Sequence, residues 1–263
     1  MHFSAEAFGL VPLLAFAYAL IARAERPTRV QGAAAALALA LVFAAFTTRL
    51  QPFALHTFLW AHLLQNVVLA EWAPGLLVLA IPAAIGRRVG RARVLHPSVA
   101  LPLWLATYFV WHLPWIYDTA LAHPHSLLHL EHVTYLLAGL ALWWPVVHGE
   151  FSAGLKAVYL FAAFVLASPL GLVLALVPKP IYDFYADAPR TWGPSPLADQ
   201  QIAGVTMALE QAAVIFVVFT VYLLRFLREE QGDPELFRPE FRREALRRGE
   251  QPGIDEKLAD VVE

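Results

Sequence analysis

Apolar stretches long enough to cross a bilayer follow one another along most of this chain of 263 residues. A helical span needs about 20 such residues, because each adds 1.5 Å of rise and the hydrocarbon layer is roughly 30 Å thick. Inside lipid the backbone must hydrogen-bond to itself, so these stretches predict transmembrane helices. They lie at about 7–22, 31–48, 55–80, 97–116, 127–147, 155–177 and 199–224. Proline and glycine punctuate the joints, at Pro27, Pro52, Pro82 with Gly86, Pro97, Pro124 and the 178–196 region. Pro74-Gly75 falls inside the third stretch, a break that lipid tolerates only where neighbouring helices satisfy the backbone again.

The expected fold is therefore an all-α, polytopic membrane bundle of seven transmembrane helices. Its transmembrane domain covers 1–228, and a charged tail covers 229–263 with a short helix at 240–248. Arginine sets the orientation. Arg23, Arg26 and Arg29 follow the first span, Arg87, Arg88, Arg91 and Arg93 the third, Lys156 the fifth, and Arg225 and Arg228 the seventh. The alternate loops carry only Arg49, Lys179 and Arg190. The positive-inside rule then predicts an outer N-terminus and a cytoplasmic C-terminus. Met1-His2-Phe3-Ser4-Ala5-Glu6 has no basic region ahead of the first apolar run, which reads as a retained helix rather than a signal peptide.

Composition removes several chemistries. A net charge of −2 implies no nucleic-acid partner. The absence of cysteine excludes disulfides, iron–sulfur clusters and thiolate metal sites. A metal would need histidine, carboxylate or backbone oxygen.

The histidines supply that set. His96 and His148 fall at the cytoplasmic side, whereas His2, His56, His62, His112, His123, His125, His129 and His132 fall at or near the outer side. Taken as one helix, His125, His129 and His132 form a stripe roughly 60° wide at 100° per residue. His62 lies six residues deeper than His56, about 9 Å. That depth predicts that His62, His112 and His132 meet below the outer surface. Imidazole suits copper and zinc, and an outer, thiol-free site favours these two. Isolated interfacial histidines such as His2, His56 and His123 are ordinary amphipathic residues. Trp111, Trp115 and Tyr117 read as interfacial anchors.

The carboxylates divide by depth. Asp118, Glu131 and Asp199 lie at the outer side, available to orient imidazoles. Glu131 points about 100° from His132, so it is expected to serve a histidine on another helix. Glu71 and Glu210 lie mid-span, where they are either protonated or paired with Gln65, Asn66 or Gln211. A neutral interhelical hydrogen bond and a proton or ion path both fit them.

Four stretches in order carry a family resemblance. They are His62-Leu63-Leu64-Gln65-Asn66 through Ala73-Pro74-Gly75-Leu76-Leu77, Trp111-His112-Leu113-Pro114-Trp115-Ile116-Tyr117-Asp118, His129-Leu130-Glu131-His132 with Gly139 and Trp143-Trp144-Pro145, and Tyr182-Asp183-Phe184-Tyr185 with Asp199-Gln200-Gln201-Ile202-Ala203-Gly204 and Met207. Over roughly 55–222 the chain resembles the integral-membrane cytochrome c oxidase assembly factors of the CtaG-like type. That resemblance implies a multi-pass protein of a bacterial plasma membrane. It implies a non-enzymatic role in building a haem–copper oxidase by supplying copper, with the oxidase subunits as partners. It carries over His62, His112, His129, His132 and Asp199. Asn66 departs from the family, whose motif has a second histidine there; His125 or His56 is the candidate substitute.

Two other readings use the same residues. Facing histidines such as His112 and His132 could ligate haem iron. Pro74-Gly75 and the intramembrane glutamates also fit a transporter. A di-iron enzyme lacks the cytoplasmic ligands such sites use. The alanine-rich face of the second span is a candidate for packing on a second protomer.

Overall fold

The computed structural model describes residue 4 and residues 6–231. Those residues form α1 (Glu6–Ala24), α2 (Arg29–Thr47), α3 (Leu50–His56), α4 (Leu59–Ala80), α5 (Ala83–Val89), α6 (Pro97–Trp111), α7 (Pro114–Ala122), α8 (Leu127–Val147), α9 (Ala153–Leu176), α10 (Asp183–Ala186) and α11 (Pro196–Glu230). No strand occurs among them. Six of these helices are long and apolar enough to cross a membrane, and a seventh span exists only if α6 and α7 count as one. The tail beyond 231, its expected helix at 240–248 and His2 lie outside the described residues.

Local sequence explains the departures from the expected spans. The stretch 97–116 breaks because Leu113 precedes Pro114. A residue before proline is driven out of the helical region, and Leu113 sits at ψ 125°, so α7 leaves α6 at 72°. The indole N–H of Trp111 donates to Thr134 at 2.8 Å and pins the end of α6 to α8. The stretch 55–80 breaks at Thr57–Phe58, and α4 begins only at Leu59. Helix α8 begins at Leu127, so His125 lies in the preceding turn and not on a helical stripe with His129 and His132.

Pro74 does not interrupt α4. A wide π turn at Val68–Trp72 precedes it and takes up the missing proline N–H. The indole of Trp143 on α8 donates to the Glu71 carbonyl at 2.9 Å, so a neighbouring helix supplies the lost partner. Gly139 lies against this turn, where a Cβ would strike the Ala70 carbonyl. Small residues also bring α9 and α11 together, since a Cβ on Gly204 would sit 2.5 Å from the Gly171 carbonyl. The alanine-rich face of α2 (Ala34, Ala35, Ala38, Ala45) is buried within the chain, where α2 packs on α4. A capping box of Thr28 and Gln31 starts α2, and Gln31 also donates to the Ile81 carbonyl at the end of α4.

The bundle has two chemically distinct ends. Lys156 and Arg225 lie over the Tyr222 ring at one end, near the Arg87–Glu150 pair. His148 lies at that end too, whereas His62, His112, His125, His129 and His132 gather at the other.

Candidate metal centre

Helix α8 supplies the centre of the site. His129 and His132 are three residues apart and share a face, whereas Glu131 points to another side. Glu6, the first residue of α1, lies against the two histidines. Its Oε1 accepts from Nδ1 of His129 and Nδ1 of His132, each at 2.7 Å, and its Oε2 accepts from Ser4 Oγ at 2.7 Å. Glu6, His129 and His132 are the only such group among the described residues whose ligand atoms lie within 4.8 Å of one another. His129 is half-buried, and the other two are buried. An open cup of about 110 Å³ adjoins them, lined by Gln51, His125 and Leu128 among others.

Deeper lies a second group. Three buried imidazoles have their Nδ1 committed to an oxygen. His62 Nδ1–H donates to Tyr185 Oη at 3.0 Å, and that hydroxyl in turn donates to the Ala54 carbonyl. His112 Nδ1–H donates to the Tyr108 carbonyl at 2.7 Å, with Tyr135 Oη at 3.2 Å. His132 Nδ1–H donates to Glu6. With the proton on Nδ1, each ring presents the Nε2 lone pair, and none of these three Nε2 atoms has a hydrogen-bond partner. This is the tautomer that an oxygen bonded to the far ring nitrogen imposes on metal-binding histidines.

Glu131 lies among them. It is fully buried, and its charge interacts with His62, His132 and His112. Oε1 accepts from Asn66 Nδ2 at 2.8 Å and faces His62 Nε2 at 3.5 Å, while Oε2 has no partner. Unpartnered buried acceptors are costly. Three lone pairs and a carboxylate oxygen left open together fit a cation, and nitrogen with carboxylate oxygen suits copper or zinc. The rings of His62 and His132 lie 6.2 Å apart, and Tyr117 lies beside both His62 (5.1 Å) and His112 (5.8 Å). The three Nε2 atoms do not form a tight group of the kind that Glu6, His129 and His132 make.

The remaining expected residues hold this arrangement. Asn66 is the hydrogen-bond donor that fixes Glu131. Asp199 accepts from the Leu59 and Trp60 N–H groups at 2.9 and 3.1 Å, capping the helix that carries His62, and it pairs with Arg190 at 3.1 Å. Asp118 accepts from the N–H groups of Asp183 and Phe184, which places Tyr185. Burial above all, and then the Glu131 charge, push the Tyr185 phenol well above its ordinary range. It therefore stays neutral and keeps its proton on the Ala54 side. Gln65 ties Gln51 to the Ala45 carbonyl. His125 is exposed, its ring 6.5 Å from His129, and it belongs to the cup rather than to either group. Glu71 and Glu210 lie next to each other, deeper in the bundle, and Glu71 shares a small void with Asn66 and His112.

Two participants escape sequence reasoning. Glu6 is paired with residues more than 120 positions away. Its one sequence signal is a carboxylate placed directly before an apolar run at the histidine-rich end. Tyr185 stands inside a motif, yet nothing in its spacing marks it as the partner of His62.

Residues 14–229 match the family model described as cytochrome c oxidase caa3 assembly factor. The match takes in both groups of histidines and leaves out Ser4 and Glu6. No curated protein and no solved structure matches the chain.

Proposed function

The chain belongs to the cytochrome c oxidase caa3 assembly factors, and from that premise we propose that it holds copper as cargo at the histidine-rich end and delivers it to the oxidase. The observation that carries the proposal is that the Nε2 atoms of His62, His112 and His132 and Oε2 of Glu131 all lie buried without a partner. The oxygens bonded to Nδ1 leave Nε2 of each ring as the acceptor, the form in which imidazole binds a metal. Glu6, His129 and the nearby His125 form a more accessible antechamber, where a metal ion would first lose water. His132 belongs to both groups through its two ring nitrogens. Zinc is the second candidate, because donor type alone does not separate the two metals.

In this reading the protein sits in a bacterial plasma membrane with its histidine-rich end outside, an orientation that the arginine distribution supports. It performs no reaction of its own; the oxidase subunits are its partners and lipid surrounds its apolar helices. The test is elemental analysis of the full chain purified in detergent after exposure to Cu(I), Cu(II) or Zn(II). The expected result is near-stoichiometric copper that is lost when His62 and His132 are both replaced by alanine. Copper retained by that variant, or absent from the unaltered protein, overturns the proposal. A haem absorbance band in the same preparation would favour haem binding instead.

A further inference from the structure

The two glutamates in the middle of the bundle take no part in the histidine site. Glu71 lies in the π turn of α4 and is 1% exposed; Glu210, 7% exposed, lies two residues before another π turn, Ala212–Phe216, in α11. Such turns in long helices are frequent at functional positions. The two carboxyl groups lie next to each other. The Trp72 indole donates to Glu210 Oε2 at 3.1 Å, and the Gln211 amide donates to the Tyr108 hydroxyl at 3.2 Å. Neither carboxyl has a lysine, arginine or histidine partner among the described residues. One buried oxygen on each, Glu71 Oε2 and Glu210 Oε1, meets no donor. Two negative charges in contact away from water repel strongly, so a proton shared between the carboxyl groups is the arrangement that satisfies them.

The surroundings of Glu71 give that proton a route. A cavity of about 660 Å³ runs from Glu71 and Trp72 to Tyr222 and Arg225 at the arginine-rich end, with Leu76 and Val218 in its walls. On its other side Glu71 borders a void of about 10 Å³ shared with Asn66, Tyr108, His112 and Tyr135. That void has room for one water at most. Glu71 is the one residue lining both spaces. The titratable groups facing the pair are Tyr108 from α6, His112 just past its end, Tyr135 from α8, and Tyr222 and Arg225 from the far half of α11; α2 presents only Leu41.

We propose that Glu71 and Glu210 form a proton-exchange site at the centre of the bundle, loaded from its arginine-rich end through the large cavity. The proposal does not depend on which metal the histidines hold, or on whether they hold one.

Dicyclohexylcarbodiimide, which attaches to protonated carboxyl groups in apolar surroundings, is the probe. The full chain is placed in phosphatidylcholine vesicles, with the pH set separately on the two sides, and the adduct is located by peptide mass spectrometry. The expected result is an adduct on Glu71 or Glu210 that falls several-fold when the pH is raised at the arginine-rich end alone. Replacing both residues (Glu71→Gln with Glu210→Gln) abolishes it. Val218→Trp fills the cavity, leaves both carboxyl groups in place and makes the adduct respond slowly to that pH. An adduct on neither residue, one insensitive to pH, one that follows the histidine-rich side, or one whose response is unchanged in Val218→Trp overturns the proposal.

Discussion

Replacing Asp199 with alanine tests whether this carboxylate is the peg on which the His62 helix hangs. Asp199 is fully buried, and three hydrogen bonds end on it: from the N–H groups of Leu59 and Trp60 and from the Arg190 guanidinium. Phe58, at the N-cap of α4, makes no side-chain cap of its own, so nothing else serves those N–H groups. Loss of a helix cap costs about 1–2 kcal/mol. Arg190, one-tenth exposed, would also keep a charge with only the Tyr185 and Pro194 carbonyls to bind, and stranding a buried ion-pair partner costs about 3 kcal/mol or somewhat less where carbonyls remain. Together these give about 3–5 kcal/mol, or a fall of about 6–20 °C in thermal midpoint for a chain of this size. Asp199→Asn keeps one acceptor oxygen and should fall by about half as much. Removing Arg190 as well (Arg190→Ala) should recover part of the loss, because the stranded charge goes with it. The assay is thermal denaturation of the purified protein in detergent. A midpoint within about 3 °C of the unaltered protein for Asp199→Ala would refute the reasoning.

Three further expectations follow from the packing and the hydrogen bonds. Gly139→Ala puts a Cβ into the Ala70 carbonyl and Pro74, and should destabilise by about 1–3 kcal/mol; an unchanged thermal midpoint would count against the close approach. Tyr185→Phe deprives His62 Nδ1–H of its acceptor and should weaken copper binding by about 10- to 100-fold in a competition titration, with the helical circular-dichroism signal retained. His148, beyond the end of α8, is held below its ordinary value of 6.5 first by burial, against the pull of its bond to the Val78 carbonyl. Below that value the unfolded chain takes up a proton that the folded chain refuses, so stability is full above it and is lost as the pH falls. His148→Gln can still donate to Val78 and does not titrate. Between about pH 7.5 and about pH 5 its midpoint should fall less than that of the unaltered protein, and equal falls would refute this.

The helical bundle was legible because apolar length is a property of the sequence alone. So was the division of labour on α8: a residue 100° from His132 must serve another helix, and Glu131 meets His62 and Asn66 on α4. Asn66 reads differently in three dimensions, because a position missing a histidine in one dimension turns out to be the donor that fixes Glu131. What stayed hidden depends on direction rather than composition. Whether Pro114 kinks a span or ends it is set by how α7 packs, and α7 leaves at 72°. Pro124 places a turn where a continuous stripe was expected, which detaches His125 from His129 and His132. The pairing of Glu6 with α8 is purely tertiary, and no periodicity reports it.

The double engagement of His132 makes the first helix and the buried centre thermodynamically reciprocal. The Val11–Ala24 part of α1 buries none of its residues, so much of its hold on the bundle rests on its first turn, where Glu6 accepts from two imidazoles. A cation on the Nε2 face of His132 would draw electron density from the ring and strengthen the Nδ1–H donor on the opposite face. Whatever tightens the Glu6 contact must then raise affinity at the buried centre by the same factor, and the reverse holds equally. The free energy with which α1 docks would in this sense be part of the affinity of the centre.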